Sequence, residues 1–322
     1  MSIAVVWNGS AGSAADLSAA SIQADLAQAT GRSVTIEQVS DDRNPTACAK
    51  AAIAKGADVV VAAGGDGTVS GVAAAIVGHD VRLGVLALGT SNSFAAALGI
   101  PTDLAAAIGV IAGAEQSSVD MAYVTSTEGR KAMVLHCMVG FHADAIGNTA
   151  VESKRRWGVL AYAASAMREL ANLETFAVEL DTGDHVVRCR ANAVAAANLA
   201  PIKTVLAHGP SHLLGDDGLV DVTIIAAESL LEAIATGVHL YRQARSGEAA
   251  TRANVGSFSA RTVTITADPP QHVLVDGEPF GSTPVRIETV ARALTVLAPR
   301  PPPAEGPPTD ASLIGLPDLQ VE

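Results

Sequence analysis

The run Ala63-Gly64-Gly65-Asp66-Gly67-Thr68 concentrates the residues of this chain best suited to chemistry, directly after the apolar stretch 57–62. Its three glycines let the backbone turn sharply and approach a ligand with no side chain in the way. Thr68 is expected to cap a helix over 69–77, whose first N–H groups and positive dipole end would favour a phosphate. Asp66 adds a carboxylate where a phosphate-bound magnesium ion could use it. The chemistry these residues suggest is phosphate binding. The spacing is not the dinucleotide fingerprint, because Gly71 falls one residue late, nor a Walker A loop, because no Lys precedes a Ser or Thr. An ordinary glycine-rich turn between strand and helix is the plain alternative.

Two further loops have the same character. Gly89-Thr90-Ser91-Asn92 follows an apolar strand at 83–86 and leads into a short helix, and Asn8-Gly9-Ser10-Ala11-Gly12 follows the opening strand. Loops at the carboxyl ends of strands are where an open parallel sheet binds ligands. Residues 1–118 supply such a sheet: strands near 2–7, 33–39, 57–62 and 83–86 alternate with helices near 14–30, 46–55 and 69–77. That rhythm predicts an α/β, doubly wound parallel-sheet nucleotide domain. After Val119 the pattern turns to β-branched, alternating runs at 130–139, 176–180, 186–194, 220–225, 254–258, 262–267, 272–275, 285–288 and 294–297. These predict a C-terminal, mostly antiparallel β-sandwich domain over 119–289, with helices near 158–173 and 229–242. Residues 290–299 could belong to either domain, and the proline-rich stretch from Arg300 predicts a disordered tail over 300–322.

With these segments in view, the chain resembles the bacterial soluble lipid kinases of the diacylglycerol kinase superfamily, which also contains sphingosine and NAD kinases. The resemblance is carried by Gly64-Gly65-Asp66-Gly67-Thr68, Gly89-Thr90-Ser91-Asn92, the segment 154–162 (KRRWGVLAY), Asp216-Asp217-Gly218-Leu219-Val220-Asp221 and Val275-Asp276-Gly277-Glu278-Pro279. It extends over roughly residues 3–299. It implies transfer of the γ-phosphoryl group of ATP, with Mg2+, to a hydroxyl of a diacylglycerol-like or related lipid. Asn8, Ser40, Gly64, Gly65, Asp66, Gly67, Thr68, Val69, Ser70, Thr90 and Asn92 would then meet the nucleotide. Asp66 would lie near the reacting phosphate, and Glu278 would be the general base. Asp217, with the carbonyls of Leu214 and Leu219, would hold a structural magnesium, the choice of Asp217 over Asp216 resting on position alone. By their own residues, both segments also read as simple turns, since Asp276-Gly277 is a hairpin signal and 215–218 is turn-rich. The family in addition implies a lipid partner met transiently at a membrane surface, a cytoplasmic location, no nucleic acid and room for a homodimer.

The 322 residues suffice for two domains. The start lacks a secretory pattern, and the longest helix-like apolar stretch, 104–114, is too short to span a bilayer. Cys48, Cys137 and Cys189 are few and scattered, as suits a reducing compartment. A net charge of −12 argues against nucleic acid and against a broad electrostatic grip on anionic lipid. The cluster Lys154-Arg155-Arg156-Trp157 could still meet headgroups or a substrate phosphate, or simply begin a helix. His136, Cys137, His142 and Asp144 have no zinc spacing and suit a buried strand. The chain departs from the family's usual pattern: Ser70 and Gly71 replace Asn and Glu, Ser93 replaces an acid, Ala95–Ala97 lack an Arg, and Gly9 replaces Pro in a loop without Lys or Arg, so several charges are missing. Two other functions therefore stay open: a kinase of a soluble hydroxyl compound such as NAD, and a nucleotide-binding module with little transfer activity.

Overall fold

The computed structural model describes residues 2–12, 14, 17–140, 175–201, 204, 207, 215–227, 229–246, 252–299, 312, 313 and 315–322. The expected helix at 158–173 and the cluster 154–157 lie outside these residues. Two compact units are present: Met1–Met121 with Gly215–Gly218 and Val290–Ala304, and Ala122–Leu214 with Leu219–Thr289 and Glu305–Glu322.

The first unit is built on parallel strands β1 (Ser2–Trp7), β2 (Ser33–Gln38), β3 (Val59–Gly64) and β4 (Arg82–Ala87), ordered β2-β1-β3-β4. Every residue of β3 is buried, as a central parallel strand requires. Helices α1 (Ala19–Thr30) and α5 (Leu104–Gly113) pack together over Val5, Val61 and Leu86. Helices α2 (Pro45–Ala54) and α3 (Asp66–Ile76) pack together as a second pair, and the short α4 (Ser93–Ala97) follows β4. Side-chain caps define the helix starts: Ser18 accepts from Ser21 N–H, Asn44 from Ala47 N–H and Asp103 from Ala106 N–H. The Ser18 cap is why α1 begins at Ala19 and not at residue 14, as the apolar pattern predicts.

Strand β5 (Gln116–Ser126), which the residue pattern does not reveal, leads from the first unit into the second and forms a hairpin with β6 (Gly129–Met133). The second unit contains an antiparallel sheet of β7 (His136–Val139), β10 (Ala193–Ala197), β11 (Val220–Ile225), β12 (Val255–Ala260), β14 (His272–Val275) and β15 (Glu278–Ser282). Facing it are β8 (Phe176–Asp181), β9 (Val186–Ala191), β13 (Thr262–Asp268) and the first part of β16 (Val285–Leu297). Val139, Val194 and Val222 of one sheet share a core with Val178, Val187 and Ile265 of the other, which makes the unit a sandwich. Helix α6 (Leu230–Ser246) places Leu240 beside Ala193, Ile225 and Val255. Among the described residues, no helix is long and apolar enough to cross a membrane.

Four sequence expectations are corrected. The run 130–139 is two strands, because the Val134 and Leu135 amides bond the Asp276 carboxylate instead of continuing a ladder. The run 186–194 is also two strands, since the chain changes sheets at Asn192. Segments 285–288 and 294–297 are one continuous strand: its first half pairs with β13, and Thr295 and Val296 pair with β4 of the first unit. The expected disordered tail is ordered at its end. Ser312 exchanges backbone bonds with Ser257, Arg190 N–H donates to Pro317 O, and β17 (Gln320–Val321) pairs with β9. Leu316 is buried, and Leu313 and Leu319 pack on the same core. The prolines of 301–308, which motivated the expectation, stop short of these leucines.

Truncating Leu316 to Ala should therefore cost about 2–4 kcal/mol of stability, as for other buried leucines. Urea unfolding measures this, and a loss under about 0.5 kcal/mol, the surface-substitution range, would mean that the ordered end does not contribute to the core.

Candidate functional site

The apolar strands β1, β3 and β4 all end in loops of small residues, and these loops touch. A Cβ on Gly89 would stand 2.4 Å from Gly65 Cα, and one on Gly64 would stand 2.4 Å from Thr68 Oγ1. Only glycine tolerates either approach. Asn8 Nδ2 donates to Thr68 Oγ1 at 3.1 Å, tying the first loop to α3. Gly12 abuts the Thr90 hydroxyl, 3.2 Å from where its Cβ would be. Phe94 N–H donates to Asp66 Oδ1 at 3.0 Å, tying α4 to α3. The structure thus brings together Asn8, Gly64, Gly65, Asp66, Thr68, Thr90 and Asn92; of these, Gly64, Gly65, Asp66 and Asn92 border a narrow crevice with Val69 and Ala95.

Asn92 is the internal brace of its loop. It takes left-handed backbone angles (φ 48°, ψ 45°), which Asn tolerates better than most residues. Its Oδ1 accepts from Gly89 N–H at 2.8 Å, and its Nδ2 donates to Gly89 O and Ala87 O. The expectation that Thr68 caps the helix is corrected: α3 begins at Asp66 with Gly65 as its N-cap, and Thr68 lies inside the first turn. The helix starts three residues earlier than expected, so Gly67, Thr68, Val69 and Ser70 belong to its opening turns. Asp66 then sits beside the positive end of the helix dipole.

Ser40 lies at the carboxyl end of β2 and closes its own turn through paired backbone bonds with Arg43. That turn is anchored by Glu37, whose buried carboxylate meets Arg43 Nη2 and Lys55 Nζ, each at 2.5 Å. Burial alone would raise the Glu37 carboxyl, but the Lys55 and Arg43 bonds outweigh it and hold the group below the ordinary value of 4.5.

A second cluster in the same unit escapes sequence reasoning. Asp120, on β5, is wholly buried. Its carboxylate accepts from Gly218 N–H and Arg292 N–H, each at 2.5 Å, while Asp120 N–H donates to Gly215 O. It therefore clasps the loop 215–218, in which Asp216 and Asp217 are exposed. A lone Asp inside the apolar strand Val119-Asp120-Met121-Ala122 is the only signal that could have found it. Leu219 continues from this loop, and Leu214 lies outside the described residues.

Glu278, in the second unit, opens β15 after a two-residue hairpin. Asp276 (φ 52°) and Gly277 (φ 84°) both take positive φ, the conformation that an Asp-Gly hairpin favours. The Asp276 carboxylate accepts from the N–H groups of Val134, Leu135 and His136 at 2.9–3.1 Å. Glu278 is largely exposed, and its Oε2 accepts from Lys131 Nζ at 2.7 Å. Burial, with the nearby Asp276 charge, pushes the Cys137 thiol up to about 12, and burial pushes Cys189 up to about 11, so neither is a nucleophile near neutral pH. Among the described residues, no group of three His, Cys, Asp or Glu could hold a metal. His142 and Asp144 lie outside them.

Comparison with known proteins shows the family and the fold. Residues 2–124 match the family described as diacylglycerol kinase catalytic domain, and residues 137–298 match the YegS C-terminal NAD kinase beta sandwich-like domain. A Xanthomonas campestris protein named "Probable lipid kinase YegS-like" is 31% identical over 256 residues, covering 77% of this chain and 81% of that protein. An uncharacterized Synechocystis protein is 33% identical over 245 residues, 76% of this chain but only 56% of its own length, so the chain spans little more than half of that relative. A solved diacylglycerol kinase structure from Bacillus anthracis superposes with a TM-score of 0.72 over 92% of this chain and 96% of that one. At 21% identity, that likeness shows the shared fold.

Two outcomes follow from the geometry. Gly89→Ala should destabilise the protein by about 1–3 kcal/mol through the backbone clash. Gly109→Ala, in α5 with open space around it, should be neutral or stabilising by up to about 1 kcal/mol. Denaturant unfolding of the pair checks both. The stability contributed by Glu37 should be fully present above the ordinary 4.5 and lost as pH falls through its lowered folded value. The gap in unfolding free energy between wild type and Glu37→Gln should therefore be widest above about pH 5 and close in acid. A gap independent of pH would refute the ion-pair account.

Proposed function

Because the chain belongs to the diacylglycerol kinase and YegS-like lipid kinase family, we propose that it transfers the γ-phosphoryl group of ATP to a hydroxyl of a diacylglycerol-like lipid. The observation that carries this reading is the convergence of three side-chain-poor loops on the start of α3, with Asp66 among them. Backbone N–H groups of a helix start suit a triphosphate, and bare glycine backbone lets it approach closely. Thr90 and Asn92 contribute from the neighbouring loop, and Asn8 from the first.

In this reading Asp66, with one oxygen taken by Phe94 N–H, would use the other to help hold a phosphate-bound Mg2+. A bound Mg2+ would neutralise charge on the phosphates. Glu278 takes the proton of the acceptor hydroxyl as its oxygen bonds to the γ-phosphorus. The bond from that phosphorus to the β–γ bridging oxygen breaks, and ADP leaves. Asp217, exposed on the loop that Asp120 clasps, suits a structural Mg2+ with backbone carbonyls of Leu214 and Leu219, an all-oxygen donor set. The lipid is met transiently at a membrane surface.

The test is transfer of labelled γ-phosphate from ATP with magnesium to lipids in mixed micelles, with NAD and glycerol alongside. Label in an organic-extractable product supports the reading. Label only in a water-soluble product moves it to a soluble acceptor, and no label with ATP still bound reduces the protein to a nucleotide-binding module. Asp66→Asn and Glu278→Gln should each lower kcat at least about 100-fold, with far-UV circular dichroism unchanged. Undiminished turnover in either would remove that residue from the mechanism.

A further inference from the structure

We infer that Lys131 is a positioning residue for the base: it holds one oxygen of the Glu278 carboxylate so that the other is presented to the acceptor hydroxyl. This rests on the reading of Glu278 as general base. Lys131 Nζ donates to Glu278 Oε2 at 2.7 Å. Among the described residues, Glu278 Oε1 accepts no hydrogen bond. A carboxylate pinned at one oxygen has lost the rotation about its last side-chain bond, so a hydroxyl meets Oε1 in one orientation.

Surface Lys–Glu pairs are ordinarily loose and contribute little. This pair differs because both ends hang from elements fastened to each other. Lys131 lies three residues before Val134, and Glu278 two residues after Asp276, whose carboxylate grips the amides of Val134, Leu135 and His136. Asp276 N–H also donates to His136 O at 2.9 Å. The two hairpins press together again at Gly281, where a Cβ would stand 2.5 Å from Glu128 Cγ. The neighbouring cation is engaged elsewhere, since the Arg130 guanidinium lies 3.8 Å from the centroid of the Tyr123 ring. Lys131 is therefore the cation held in register with the base, and it is the less exposed partner, at 27% against 61%.

The experiment measures kcat and KM in the mixed-micelle assay for Lys131→Met, Lys131→Arg, Glu278→Gln and the Lys131→Met/Glu278→Gln double variant. Lys131→Met should lower kcat about 10–100-fold with KM for ATP unchanged. Lys131→Arg should regain most of the loss, and the double variant should be no slower than Glu278→Gln alone. Melting temperatures should barely move, as for an exposed pair. Full kcat in Lys131→Met, or a double variant slower by the whole Lys131 factor, would overturn the positioning role while leaving Glu278 as base. Undiminished turnover in Glu278→Gln would instead overturn the reading of Glu278 as general base, on which the positioning role rests, while leaving the transfer activity itself standing. Independently of turnover, NMR of the lysine ammonium groups should show slow proton exchange at Lys131 that is lost in Glu278→Gln. Exchange as fast as at an unpaired lysine would refute the pair.

Discussion

A Cβ on Gly89 would overlap the Cα of Gly65, so the loops after β3 and β4 can meet this closely only as bare backbone. The arrangement of the other strand-end loops of the first unit depends on that contact. With the two turns pressed together, Phe94 N–H reaches Asp66, and Asn8 reaches Thr68 from the strand on the other side. Three separate strand ends then present one continuous surface of amides and small polar groups. No single loop could supply it, because each contributes only a few donors.

A recurrent device keeps these loops in place: an aspartate accepts main-chain N–H groups from a distant segment. Asp66 does so with Phe94, Asp120 with Gly218 and Arg292, and Asp276 with three consecutive amides. Charge-assisted bonds of this kind are stronger than those between neutral groups. They also offset the cost of burying the carboxylate, which for Asp120 is complete. The chain thus uses acidic residues as clasps for backbone as well as for chemistry, which accounts for part of its acidic balance.

The loops after β1, β3 and β4 carry no Lys or Arg. Ser70, Gly71, Ser93 and Ala96 beside these loops are all uncharged, and Ser93 is buried at the start of α4. What remains for an anion is the helix dipole and backbone amides, which are fixed in direction and lose no side-chain entropy on binding. On the proposed reading, such a surface would meet phosphate by shape more than by net charge.

The parts of the protein that were legible in the sequence are those set within a few residues of chain. Continuous apolar runs identify β1, β3 and β4, small Gly, Ser, Thr and Asn residues mark the loops after them, and Asp276-Gly277 marks a hairpin because only such residues take two successive positive φ angles. Helix boundaries were less legible, since the Gly65 cap moves the start of α3 ahead of Thr68. What only the tertiary structure decided involves partners far apart in the chain. Asp120 meets Gly218 and Arg292 across 98 and 172 residues, Asp276 meets Val134 across 142, and Lys131 meets Glu278 across 147. Proline content concealed the ordered end, whose Leu316 finds a core only once both sheets are assembled. Propensity and turn chemistry act locally, whereas a carboxylate's choice of amides depends on which segments folding brings within hydrogen-bond reach.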